Sequence, residues 1–94
     1  MDKILVFIPM YNCENQIARV LAQLEGEIRN YISEVIIVNN RSTDNSVENA
    51  IAYAKEHPDL PLKIMTNPDN YWLGGSHKVA FKYAIDNDFD YVIT

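Results

Sequence analysis

The residues with the most evident chemical potential lie in three polar stretches: PMYNCEN (Pro9 to Asn15), NNRSTDNS (Asn39 to Ser46) and NPDNYWLGGS (Asn67 to Ser76), the last running into His77 and Lys78. They are rich in amides, hydroxyls and carboxylates, side chains that turn the backbone, cap helices and hydrogen-bond a polar ligand. For Asn12, Thr43 or Asp44, and Ser76, helix capping is one role and ligand binding the other, and the two are compatible. A fourth stretch, DNDFD, spaces Asp86, Asp88 and Asp90 like metal ligands. A calcium loop would need glycine at its sixth position and glutamate at its twelfth, but Tyr91 stands sixth, so these aspartates read as a solvated turn.

Other chemistries lack their residues. No GxGxxG follows the first apolar run and no GxxxxGK[ST] occurs, which disfavours a dinucleotide cofactor and excludes a P-loop. Cys13 is the single cysteine, so no internal disulfide forms; it reads as a small, partly buried side chain. The net charge of -5 argues against nucleic acid or an anionic membrane as partner. A phosphate-bearing ligand must then be held by local features.

The elements that position these stretches follow from the apolar pattern. KILVFI (Lys3 to Ile8) and EVIIV (Glu34 to Val38) lack the polar alternation of a half-exposed strand and read as buried parallel strands. LKIMT (Leu62 to Thr66) and FDYVIT (Phe89 to Thr94) are weaker strand candidates. Ile17, Val20, Leu21, Leu24, Ile28 and Tyr31 fall on one helical stripe. Val47, Ala50, Ile51 and Ala54 repeat the spacing, as do Val79 with Tyr83 and Ala80 with Ala84. Pro58 and Pro61 mark the exit from the second helix.

Alternation of this kind predicts an α/β domain: an open parallel sheet of about four strands, βαβαβαβ, with right-handed crossovers. The chain of 94 residues reads as a single domain with a modest core. In such sheets ligands settle beyond the carboxyl ends of the strands, at helix N-termini carrying unpaired N–H groups. All three polar stretches fall there. The longest apolar run is Ile4 to Ile8, too short to span a membrane, and no signal-peptide pattern opens the chain, so the expected location is cytoplasmic.

PMYN followed by Glu14, VIIVNNRSTD, and then Asn67 with LGGSHKVAFKYAI before FDYVIT together resemble the opening half of a family 2 glycosyltransferase, the inverting A-type fold that uses nucleotide-diphosphate sugars. The resemblance spans nearly the whole chain and implies the Rossmann-like half of the A-type fold, with the open sheet ordered 3-2-1-4. It implies that Pro9 and Tyr11 lie against the nucleotide base, that Asn12 fixes the turn, and that Glu14 belongs to the same donor-binding loop. The family's strand-two loop usually reads D-D-G-S-T-D, its carboxylates meeting base and ribose. Here Asn39 and Asn40 hold the acidic positions and Arg41 the glycine, while Ser42, Thr43 and Asp44 match. An amide both donates and accepts, so the contact is kept with altered base selectivity. Arg41 either meets a phosphate or points to solvent.

The resemblance also implies a basic side chain near the diphosphate, for which His77 and Lys78 are available, with backbone help from Gly75 and Ser76. Lys78 is otherwise a solvated charge. Tyr71 and Trp72 either cover the site or pack beneath its loop. The family's metal-binding D-x-D, its catalytic base and its acceptor pocket are expected beyond Thr94, so Mg²⁺ or Mn²⁺ is expected in the full-length enzyme with no ligand here, and this portion alone is expected not to catalyse transfer. The expected partners are a nucleotide-diphospho-sugar donor, an acceptor among lipid carriers, saccharides or proteins, and a second copy of the chain through the strand-four edge. Rival readings are a nucleotide-binding module without catalysis and a receiver- or flavodoxin-like regulatory domain; the latter lacks the acidic cluster that receivers carry after strand one.

Overall fold

A computed structural model describes residues 2–66 and 73–93. Strand β1 (Ile4–Met10) leads to helix α1 (Ile17–Ala22) and a 3₁₀ helix (Gly26–Tyr31). Strand β2 (Glu34–Asn39), helix α2 (Ser46–Glu56), strand β3 (Leu62–Thr66), helix α3 (Leu73–Asp86) and strand β4 (Tyr91–Ile93) follow. The four strands form one parallel sheet in the order β3-β2-β1-β4, the expected order.

The parity of strand residues sorts two cores onto the two faces. Val6, Met10, Val35 and Ile37 pack with Ile17 and Leu21 of α1 and Ala50 and Tyr53 of α2. Leu5, Phe7, Ile36 and Val38 pack on the opposite face with Ala84 of α3, joined by Tyr83, Phe89 and Val92. Val35 to Val38 are wholly buried, each stabilising the fold by roughly 1.5–3 kcal/mol. This explains why β2 reads as an uninterrupted apolar run: helices cover both its faces.

Two helical expectations are corrected. The stripe from Ile17 to Tyr31 is not one helix: α1 ends at Ala22 and the chain re-forms as a 3₁₀ helix. Gly26, the first residue of the 3₁₀ helix, has φ +84°, a left-handed conformation that no α-helix interior contains. Ile28 and Tyr31, past the break, are exposed at 47% and 60%. In α2, Ile51 is exposed and Tyr53 buried instead. Tyr53 keeps its polar end satisfied by donating to a Glu25 oxygen at 2.6 Å while its ring stacks on His57 at 4.0 Å, so its larger apolar body goes inward.

Candidate functional site

The loops after β1 and β2 meet at the carboxyl rim of the sheet. The Asn40 N–H donates to the Met10 carbonyl at 2.9 Å, extending the pairing of β1 and β2 one residue past their ends. Beyond that point the side chains take over. The Asn12 N–H donates to Ser42 Oγ at 3.0 Å, and in return Asn12 Oδ1 accepts the Thr43 N–H at 2.8 Å and the Thr43 hydroxyl at 3.3 Å. Asn12 can turn here because asparagine tolerates the left-handed region, and its φ is +48°.

One step further the exchange repeats with carboxylates. The Cys13 N–H donates to Ser46 Oγ at 2.8 Å and the Glu14 N–H to Asp44 Oδ2 at 3.2 Å. Glu14 Oε2 accepts the Asn45 N–H at 3.4 Å, and Asn49 Nδ2 donates to the Glu14 carbonyl at 2.8 Å. Asp44 Oδ1 accepts the Ser46 N–H at 3.0 Å, so Asp44 serves the first turn of α2 as well as the neighbouring loop. The Ser46 hydroxyl also donates to Asp44. Burial pushes the Asp44 carboxyl upward, but the hydrogen bonds from Ser46 and the Glu14 N–H outweigh it and hold the group below its ordinary range.

Several residues expected at a ligand therefore serve first to join the two loops. Asn39 is 4% exposed, and its amide is used on both sides: Oδ1 accepts the Ser42 N–H at 3.1 Å and Nδ2 donates to Thr66 Oγ1 at 3.4 Å. Asn12 does not cap α1. Asp44, one residue before the N-cap Asn45, accepts the first N–H of α2, from Ser46, a role close to the capping expected of it. Against this joined base stand the open side chains of Pro9, Tyr11, Asn12, Arg41 and Thr43, with Asn40 half-buried among them. Tyr11 is 52% exposed. Arg41 has φ +57°, which explains the preference for glycine at its position.

Burial first, and the Asp44 charge after it, push the Cys13 thiol up, with the Ser46 hydrogen bond opposing; a thiol so held is protonated and unreactive near neutrality. Gly75, Ser76, His77 and Lys78 fall in the first turns of α3, and Lys78 is exposed. The side chains at 75–77, and Tyr71 and Trp72, lie outside the described residues. The aspartates of DNDFD have separate partners: Lys82 donates to Asp86 at 3.1 Å, the Lys3 N–H to Asp90 at 2.7 Å, and Asp88 turns the chain with φ +58°.

Residues 5–94 match the family described as Glycosyl transferase family 2. The chain belongs to that family. Among curated relatives, the uncharacterized glycosyltransferase YibD of Escherichia coli (strain K12) is 36% identical over 66 residues, 70% of this chain and 19% of the relative. Among solved structures, the mannosyltransferase PcManGT from Pyrobaculum calidifontis, in complex with GDP-Man and Mn²⁺, superposes with a TM-score of 0.76 at 25% identity, covering 87% of this chain and 24% of that one. S. aureus TarS 1-349 in complex with UDP-GlcNAc gives 0.71 at 29% identity, covering 87% and 23%. The glycosyltransferase domain described here thus spans about a fifth to a quarter of these relatives.

Sequence reasoning missed Ser46, Asn49 and Thr43 as partners in the loop junction. Ser46 was legible as a polar residue opening an apolar-periodic helix. Asn49 carried no signal, because its bond crosses to a loop 35 residues earlier.

Proposed function

We propose that this family 2 domain is the nucleotide-diphospho-sugar-binding portion of a glycosyltransferase that moves a sugar onto an acceptor hydroxyl with inversion. The observation that carries the reading is the junction of the β1 and β2 loops at one rim, which leaves Pro9 and Tyr11 open beside Asn40 and Arg41. A nucleotide base stacks on Tyr11 in this reading, the Asn40 amide meets base or ribose, and the N-terminal turn of α3 with Lys78 faces the diphosphate. Asn39, Ser42, Asp44 and Glu14 hold the loops in the shape the donor needs. The nucleotide sugars named with PcManGT and TarS are of the chemical class proposed here.

A divalent metal does not fit the donor set of the described residues. The Asp44 oxygens and Glu14 Oε2 already accept hydrogen bonds, and no group of three metal-ligating side chains occurs among the described residues. The metal ligands and the base that deprotonates the acceptor are assigned to the part of a full-length enzyme that this chain does not span.

Calorimetric titration with uridine, guanosine and thymidine diphosphates tests the pocket. Base stacking on an aromatic side chain is worth about 1–3 kcal/mol, so Tyr11→Ala is expected to weaken the preferred nucleotide about 5- to 150-fold, and Asn40→Ala to change the preference among bases. Equal affinity in both variants overturns the residue assignment, and no affinity for any of the three overturns the function.

A further inference from the structure

Ser46 opens α2 and is wholly buried although it is polar. A buried hydroxyl keeps such a place only with its hydrogen bonds made. Here it makes one in each direction: Oγ accepts the Cys13 N–H at 2.8 Å, and the hydroxyl proton goes to Asp44. Only a hydroxyl can accept and donate at once from so small a side chain. The peptide group it holds governs the loop after β1, because the Cys13 carbonyl accepts the Gln16 and Ile17 N–H groups at 3.0 and 2.9 Å and so begins α1. The next N–H, of Glu14, goes to Asp44 Oδ2 at 3.2 Å, while Asp44 Oδ1 accepts the Ser46 N–H at 3.0 Å. Ser46 and Asp44 thus take two successive N–H groups in the turn that carries Tyr11 and Asn12.

We propose, on the footing of the nucleotide-binding reading above, that Ser46 is a positioning residue of the donor site: through the Cys13 N–H and the ionised Asp44 it sets the loop that presents Tyr11, so that nucleotide affinity follows the charge on Asp44. Ser46 is sealed from solvent and touches no ligand itself. An ionised Asp44 accepts from the Glu14 N–H, the Ser46 N–H and the Ser46 hydroxyl together. Once protonated, the carboxyl becomes a donor on one oxygen, and one of these bonds is lost.

The surroundings of Asp44 make the Ser46 hydroxyl decisive for that charge. Facing it across the junction are the Cys13 thiol and the Glu14 carboxylate, with Glu48 in the first turn of α2, and none of these is a cation. Burial opposes the charge, and the Ser46 hydroxyl is the largest of the hydrogen bonds that overcome it. Held below its ordinary range, Asp44 stays ionised in the native protein until the pH falls below about 4, and the ordered loop is lost only past that point. In Ser46→Ala burial acts with less opposition, so the same loss begins at higher pH.

Calorimetry with whichever of uridine, guanosine and thymidine diphosphate binds best, stepped from neutrality to about pH 4, tests the proposal. The ligand's own phosphate titrates alike in every arm, so the readout is the ratio of wild-type to variant affinity. Ser46→Ala is expected to weaken binding about 2- to 12-fold at neutrality, and the ratio to grow on acidification. Ser46→Thr keeps the hydroxyl and is expected to keep the wild-type pH profile even where its extra methyl group costs stability. Asp44→Asn combined with Ser46→Ala is expected to lose less than the product of the two single losses. Tyr53→Phe removes a hydroxyl near the far end of α2 and is expected to leave the affinity unchanged. Far-UV circular dichroism at each pH confines the comparison to folded protein. Carboxyl NMR of the ligand-free chain follows Asp44 directly, and its titration is expected to move up in Ser46→Ala. No binding by the wild type, with that titration moved, overturns the nucleotide reading and leaves the Ser46–Asp44 coupling standing. Binding with a ratio flat in pH overturns the present proposal alone, as does an Asp44 titration that Ser46→Ala does not move.

Discussion

Asn12 combines two requirements at the rim that few side chains meet together. Its backbone sits at φ +48°, and its Oδ1 accepts from both the N–H and the hydroxyl of Thr43. Glycine meets the first requirement and fails the second, while alanine fails both. Asn12→Gly is therefore expected to cost about 1 kcal/mol through the lost hydrogen bonds, and Asn12→Ala about 2–3 kcal/mol once the left-handed backbone is added. Urea denaturation compares the two; equal losses would show that the backbone conformation contributes nothing. This role was half legible in the sequence. The turn-forming character of Asn12 could be read from its type and place after a strand, but not its partner, because Thr43 lies 31 residues away and only the folded sheet brings it near.

Elements were legible wherever a repeating apolar pattern ran undisturbed. β1 and β2 follow from apolar runs rich in β-branched residues, and the parallel βαβαβαβ succession follows from the alternation with helices, while the strand order came with the family resemblance. The first helix was misread because Leu24, Ile28 and Tyr31 continue its periodicity past its end at Ala22, while the left-handed backbone of Gly26 bars a continuous helix. A methyl group built onto Gly26 meets nothing within 4 Å, so Gly26→Ala isolates the conformational effect. The expected loss is about 1 kcal/mol, arising from φ +84° alone, and a thermal melt of the variant measures it. An unchanged melting temperature would mean that the segment re-forms as continuous helix in the variant. The second helix was misread by one face, since Ile51 outranks Tyr53 in hydropathy but has no polar contact to bring inward.

The molecule as a whole is tied at the rim opposite the candidate site by Glu25. It accepts from Tyr53, lies 3.0 Å from His57 Nε2 and 3.6 Å from Arg29, which in turn reaches Asp59 at 2.8 Å. Burial, then the hydrogen bond to Glu25, pushes the Tyr53 hydroxyl up to about 12. Tyr83 on the other face is raised too, by burial and by its bond to Glu34. A tyrosine raised in the folded state favours the protonated form, so its stabilisation is complete below the unfolded value near 10 and is lost as pH climbs through the folded one. Thermal melts from pH 9 upward are expected to fall steeply above about pH 10, and Tyr53→Phe to fall less; parallel curves would remove Tyr53 as the cause.

The exchange of hydrogen bonds between the loops after β1 and β2 has a thermodynamic corollary. Segments that already hold each other have little freedom left to surrender to a ligand, so association with the proposed nucleotide is expected to be quick, enthalpy-led and free of a slow isomerising phase. A ligand meeting such a surface encounters a mould that hardened during folding.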